Sequence, residues 1–112
     1  MAEFAFKSNR QAKPVEMFPG VVRRTLSSGD RLTLCEITLN EGAAVPIHTH
    51  EHEQAGYVAR GRLRFEVDGQ RVELSAGDGY VVPGNTPHGV TALEPSVAVD
   101  IFSPPREEYL ER

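Results

Sequence analysis

The sequence predicts an all-β domain of short antiparallel strands closed into a sandwich or barrel. Three observations carry this. Apolar residues recur at every second position in short runs. Ten glycines and eight prolines are spread between the runs as turn signals. No helical period of useful length appears outside the last few residues, REEYLER. A chain of 112 residues has room for one domain with a modest core.

Residues 1–20 read as an N-terminal arm or edge strand, aperiodic at first apart from Phe4 and Phe6, and residues 21–112 as the barrel with a short C-terminal tail. RLTLCEITL places Leu32, Leu34, Glu36 and Thr38 on one face and Thr33, Cys35, Ile37 and Leu39 on the other. Neither face is fully polar, so cover on both sides is expected. Cys35 has no disulfide partner in the chain and is expected to be a small packed residue. RLRFEVDGQRVEL is the clearest local signal. Leu63, Phe65 and Val67 alternate with charge, Asp68–Gly69 supplies a two-residue hairpin turn, and Val72 and Leu74 continue the apolar face.

SVAVDIF is the last strand, with Ala98, Asp100 and Phe102 on one face and Val97, Val99 and Ile101 on the other. An acid in such a run is costly unless it is paired or exposed. Asp100 is therefore either a structural aspartate paired with a group such as arginine, or a general acid or base facing a cavity.

The net charge of −4 gives no electrostatic support to nucleic-acid binding. No stretch approaches the roughly 20 apolar residues of a membrane span. The N-terminus lacks the apolar core of a signal peptide, so a cytoplasmic protein is expected.

Three of the four histidines lie in HTHEHEQ, residues 48–54. On a strand, residues two apart share a side, so His48 and His50 project together and can meet one ion. Pro46 upstream fits an edge or bent strand. The fourth, His88, follows the proline-rich turn VPGNTP, which can fix it against the pair.

GAAVPIHTHEHEQAGYVARG resembles the first motif of the cupin superfamily: a glycine, five residues, H-x-H, three residues, an acid, six residues and a glycine. Gly42, His48, His50 and Gly61 fall on that pattern, while Gln54 stands where glutamate is usual. GDGYVVPGNTPHGV resembles the second motif through Gly77, Pro83 and His88. Asn85 stands where glycine is usual, and Ala92 where asparagine is common; both are expected to shape the turn carrying His88. DIFSPPREEYL narrows the likeness. With HTHEHEQ and TPHGV it resembles the small single-domain cupins of pectin and alginate degradation, the KdgF type, which share a late D-x-F-S-P-x-R-x-x-[FY]-L segment. The similarity runs from about Val21 to Leu110.

The resemblance implies a double-stranded jelly-roll barrel that converts 4,5-unsaturated monouronates to their linear keto form. It implies one divalent transition metal (Zn, Ni, Fe, Mn or Cu) held by His48, His50, Gln54 and His88. Asp100 would be the catalytic acid/base, Phe102 would wall the sugar site, and Arg106 would contact the substrate carboxylate. The expected partners are a small uronate and a second copy of the chain, with Phe4 and Phe6 offered to the dimer interface.

Strict alternation would put His52 and Gln54 on the same side as the pair, so the strand must bend within HEHEQ. A different bend would make Glu51 or Glu53 a ligand. His52 is expected beside the ligands or at the surface. Gln54 leaves the ion's charge uncompensated, which favours an incoming carboxylate. For Arg106 the plainer reading is a surface ion pair with Glu107 or Glu111. Two other functions fit the metal motif: a different metal-dependent cupin, either oxygenase or sugar isomerase, and a non-catalytic sugar-binding cupin.

Overall fold

The computed structural model describes residues 4–110. After a 3₁₀ turn at Asn9–Gln11 come ten strands: β1 (Pro14–Phe18), β2 (Val21–Ser28), β3 (Thr33–Leu39), β4 (Ala44–His48), β5 (Glu53–Arg60), β6 (Arg62–Val67), β7 (Gln70–Ser75), β8 (Gly79–Val82), β9 (His88–Ala92) and β10 (Ser96–Ser103). They form a six-stranded sheet in the order β1-β2-β3-β10-β5-β8 and a four-stranded sheet in the order β4-β9-β6-β7. Every pairing is antiparallel. After β3 the chain changes sheet at each connection except the β6–β7 hairpin. The short runs and dense turns point to a sandwich or barrel, and this topology is the jelly roll that the family resemblance implies.

The β6–β7 hairpin forms as its sequence dictates. Asp68 and Gly69 adopt φ of +50° and +81°, the two left-handed residues of a tight turn, and Val67 pairs with Gln70. Leu63 and Phe65 are buried. Val72 is half exposed, because β7 is the free edge of its sheet and its face is only partly covered.

For β3 the expectation of cover on both sides is half right. Thr33, Cys35, Ile37 and Leu39 are buried, while Leu34, Glu36 and Thr38 are only half-buried, and Leu32 lies outside the strand and is exposed. One face packs on the core. The other is the outer face of the six-stranded sheet, where Asn9 Nδ2 donates to Glu36 Oε1 at 2.8 Å. Phe4 and Phe6 lie on the exposed arm ahead of β1. The tail folds into a single 3₁₀ turn, Glu107–Tyr109. Among the described residues no helix is long and apolar enough to cross a membrane.

The core is the space between the sheets. Leu63 and Phe65 from the smaller sheet meet Cys35, Ile37, Val58 and Ala98 from the larger. One end of this space stays polar, and the candidate site lies there.

Candidate functional site

The bend in HTHEHEQ is a change of sheet. His48 ends β4 in the smaller sheet, and Gln54 lies at the start of β5 in the larger one. His50 is therefore not on a strand, as the alternation argument assumed, but in the corner between two. It still meets His48, with ring centroids 5.3 Å apart. His48 sits directly across from His88 on β9, with centroids 4.4 Å apart. A bulge in β4 between Val45 and His48 makes this possible. An extra residue there shifts the alternation, so Val45 and His48 both line the cavity although they are three apart. Pro46 sits in this irregular stretch at a sheet edge, where a missing N–H is tolerated.

The turn before β9 holds two of the histidines. Asn85 N–H donates to the His50 carbonyl at 2.7 Å, and His88 Nδ1 donates to the Thr86 carbonyl at 2.7 Å. Asn85 has φ of +62°, which explains why glycine is usual there and why asparagine is tolerated. Asn85→Gly should therefore leave the urea midpoint nearly unchanged. Asn85→Val should destabilise the fold by about 1–3 kcal/mol, because a β-branched residue is strained in that conformation; urea titration checks both. Ala92 does not shape this turn. It is buried at the end of β9, opposite Leu63, where a small side chain fits the core.

The three rings are oriented alike. His48 Nδ1 faces the Pro46 carbonyl at 2.9 Å, and His50 Nδ1 faces the His52 carbonyl at 3.0 Å. With His88, all three spend their Nδ1 hydrogen on a backbone carbonyl, which leaves each Nε2 with a bare lone pair. His50 Nε2 is buried and has no partner. One ring nitrogen from each histidine lies within 4.8 Å of the others, so the triad can hold a metal ion. Burial, followed by the nearby Arg106 charge, pushes His50 down to about 4. Burial also lowers His88. Both shifts favour the neutral imidazole that ligation requires in His50 and His88.

Gln54 is buried against the triad, its Oε1 3.2 Å from His88 Nε2. With the His88 proton on Nδ1, two lone-pair-bearing atoms face each other across that gap. A cation satisfies both. The donor set thus fits a metal on its own chemistry. Glu51 and Glu53 are exposed and lie outside the histidine cluster. His52 is buried rather than at the surface, and its carbonyl fixes the His50 ring.

Asp100 is buried in the cavity wall, opposite Cys35 and Gly56 in register. Its partners are Tyr80, whose hydroxyl donates to Oδ1, and the Gln54 amide. The arginine partner considered from sequence does not form: Arg106 acts on Asp100 only as a nearby charge. Burial raises the Asp100 carboxyl above the usual carboxylate range, against the lowering by Tyr80, Gln54 and Arg106.

Arg106 is not the surface residue of the plainer reading. It is buried, with its guanidinium 4.9 Å from the Phe102 ring and 4.1 Å from the Tyr109 ring. Its Nε lies 3.6 Å from Glu108 Oε1, and Glu111 falls outside the described residues. Its backbone N–H donates to Thr33 Oγ1 at 3.0 Å, which pins the tail to β3. Phe102 lies edge-on to His50 at 5.7 Å and lines the cavity with Arg106. Tyr80 and Tyr109 also line it, and sequence reasoning gave neither a role. Tyr109 occupies the aromatic position of the C-terminal segment. For Tyr80 the available signal was Gly56, a glycine inside a strand, which marks a close approach.

A jelly roll with a histidine triad able to hold an ion between its sheets defines a class of β-barrel. The chain belongs to the cupin family, whose domain model matches residues 35–102. Within it, the chain is 35% identical to the pectin degradation protein KdgF of Dickeya dadantii over 97 residues, which is 85% of this chain and 88% of that protein. It superposes on the solved structure of KdgF from a Halomonas species with a TM-score of 0.90, at 35% identity, covering 96% of this chain and all of that one. A shorter stretch of 63 residues is 35% identical to quercetin 2,3-dioxygenase of Bacillus subtilis, covering 55% of this chain and 19% of that enzyme.

Proposed function

We propose that the chain is an enzyme that converts 4,5-unsaturated monouronates, the products of pectin or alginate lyases, to the linear 4-deoxy-5-keto form. The observation that carries this is the convergence of Asp100, Phe102 and Arg106 on the cavity lined by His48, Gln54 and His88, with His50 edge-on to Phe102. Likeness to the two KdgF proteins over most of the chain supports it. The dioxygenase likeness covers a small part of that enzyme, and the metal motif alone does not select a chemistry.

His48, His50, Gln54 and His88 are the proposed ligands of one divalent transition metal; imidazole donors suit Zn, Ni, Fe, Mn or Cu alike. When bound, such an ion would supply Lewis acidity beside the substrate carboxylate and oxygens. Four neutral ligands leave its charge uncompensated, so an anionic substrate is favoured. Arg106 adds a second cation, held in place by its aromatic neighbours, and fits a carboxylate. Phe102 gives the sugar an apolar wall. The substrate is an enol ether carrying a carboxylate, and its ring opening and ketonisation require a proton on C4. Asp100 delivers that proton in this reading, and the raised proton affinity of its buried carboxyl supports the role of acid.

The test adds the protein to 4,5-unsaturated galacturonate and follows the conjugated ultraviolet absorbance against the spontaneous rate, with oxygen monitored in parallel. Accelerated loss without oxygen uptake is expected. Oxygen consumption would indicate a dioxygenase instead, and binding without turnover would indicate a sugar-binding protein.

The working form is proposed to be a cytoplasmic homodimer. Tyr57, Val81 and Ile101 are exposed on three neighbouring strands of the larger sheet's outer face, and Phe4 and Phe6 stand exposed on the arm. A contiguous apolar face of this kind is a site of association. Sedimentation should give twice the chain mass, and Val81→Arg should return it to monomer; a wild-type monomer at micromolar concentration would rule the dimer out.

A further inference from the structure

One row of residues crosses the inner face of the larger sheet: Thr25, Cys35, Asp100, Gly56 and Tyr80, each directly opposite the next. Tyr80 is thus two strands away from Asp100, with position 56 between them. A side chain there would block the approach, since even a Cβ on Gly56 would run into the Tyr80 ring. Glycine leaves the gap open. The Tyr80 ring lies across it, packed against Phe65 with centroids 4.4 Å apart, and its hydroxyl reaches Asp100 Oδ1. The ring is held by the core, so the hydroxyl's position is set by packing rather than by a mobile side chain.

We infer that Tyr80 is a positioning residue for the proposed reaction, its phenol holding Asp100 Oδ1 so that the proton is exchanged through the other carboxyl oxygen. A buried carboxylate has two equivalent oxygens and a rotatable χ2; without the phenol, the Gln54 amide would be its one remaining donor among the described residues, free to take either oxygen. A fixed donor on one oxygen removes that choice and aligns the other for proton transfer. The phenol stays a donor throughout, because burial, and then the Asp100 charge, raise it well above its usual range. Gly56 serves the same end by leaving room for the ring.

This inference rests on the uronate reading, and its test separates the two. Tyr80→Phe keeps the ring and its packing on Phe65 while removing the hydroxyl. The value of kcat is expected to fall about 10- to 100-fold, the range for a lost hydrogen bond to a charged group. KM, bound metal and melting temperature should stay close to wild type. In an Asp100→Asn background the same change should cost little more, because both act on one step. A wild-type kcat in Tyr80→Phe, an equal loss in both backgrounds, or a loss in KM alone would overturn the inference. Absence of turnover in the wild type would defeat the uronate reading instead. The carboxyl carbon resonance of Asp100 in ¹³C-aspartate-labelled protein, assigned with Asp100→Asn, then decides. A shift in Tyr80→Phe supports the hold, and an unmoved resonance overturns it.

Discussion

Asp100→Asn should reduce turnover of the unsaturated uronate by about 10²- to 10⁴-fold, the range carried by a positioned general acid, while the fold survives intact. The amide is nearly the same shape as the carboxyl. Its oxygen still accepts from Tyr80, so the hydrogen bond that ties β10 to β8 is kept. What is lost is the exchangeable proton. The variant should be no less stable than wild type, because a buried carboxyl is costly to ionise and an amide is not. The sign follows from the raised Asp100 value. In metal-free protein, the stability that goes with a neutral carboxyl is complete below the unfolded-state pKa and is lost as pH rises through the higher folded-state pKa. The amide has no such dependence. Urea titrations of metal-stripped wild type and variant across this range check the stability, and steady-state rates check the chemistry. A variant that loses activity only by unfolding would remove Asp100 from the chemical step.

His50→Ala should abolish stable metal binding and, with it, turnover. His50 is in the corner between β4 and β5 and pairs in neither sheet, so its removal disturbs little of the fold. Its Nε2 is the buried donor atom that has no protein partner. Losing one of four ligands should weaken binding by more than the roughly 10- to 100-fold typical of losing a supporting hydrogen bond. Elemental analysis after gel filtration is expected to fall from about one ion per chain to a small fraction, with an unchanged circular dichroism spectrum. Full metal occupancy in His50→Ala would show that the triad is not the binding site.

Much of this site was legible in the sequence because its chemistry is carried by rare residues at fixed spacing. His48, His50 and His88 are three of only four histidines, and Asp100 is a charge in an apolar run. The alternation of β6 and β10 and the Asp68–Gly69 turn are local signals, and local signals survive folding. What was not legible depends on which strands become neighbours. The sequence requires a bend within HEHEQ, but only the final topology shows that the bend is a change of sheet. An arginine is the partner that sequence suggests for Asp100, yet the nearest donor is Tyr80, twenty residues earlier and two strands across. The motif position of Ala92 points to the turn carrying His88, while its packing against the other strands makes it a core residue. Exposure of Leu32 and Val72 followed from where the sheets end, which alternation alone does not encode.

The most direct test of the central claim, that this cavity delivers a proton to C4 from Asp100, is to run the reaction on 4,5-unsaturated galacturonate in D₂O and read the label by proton NMR. Wild-type protein is expected to give a linear keto product carrying deuterium on one face of C4 only, at a rate well above the spontaneous reaction, with Asp100→Asn losing both the rate and the facial preference. Product labelled equally on both faces, or formed no faster with the protein than without it, would contradict the account.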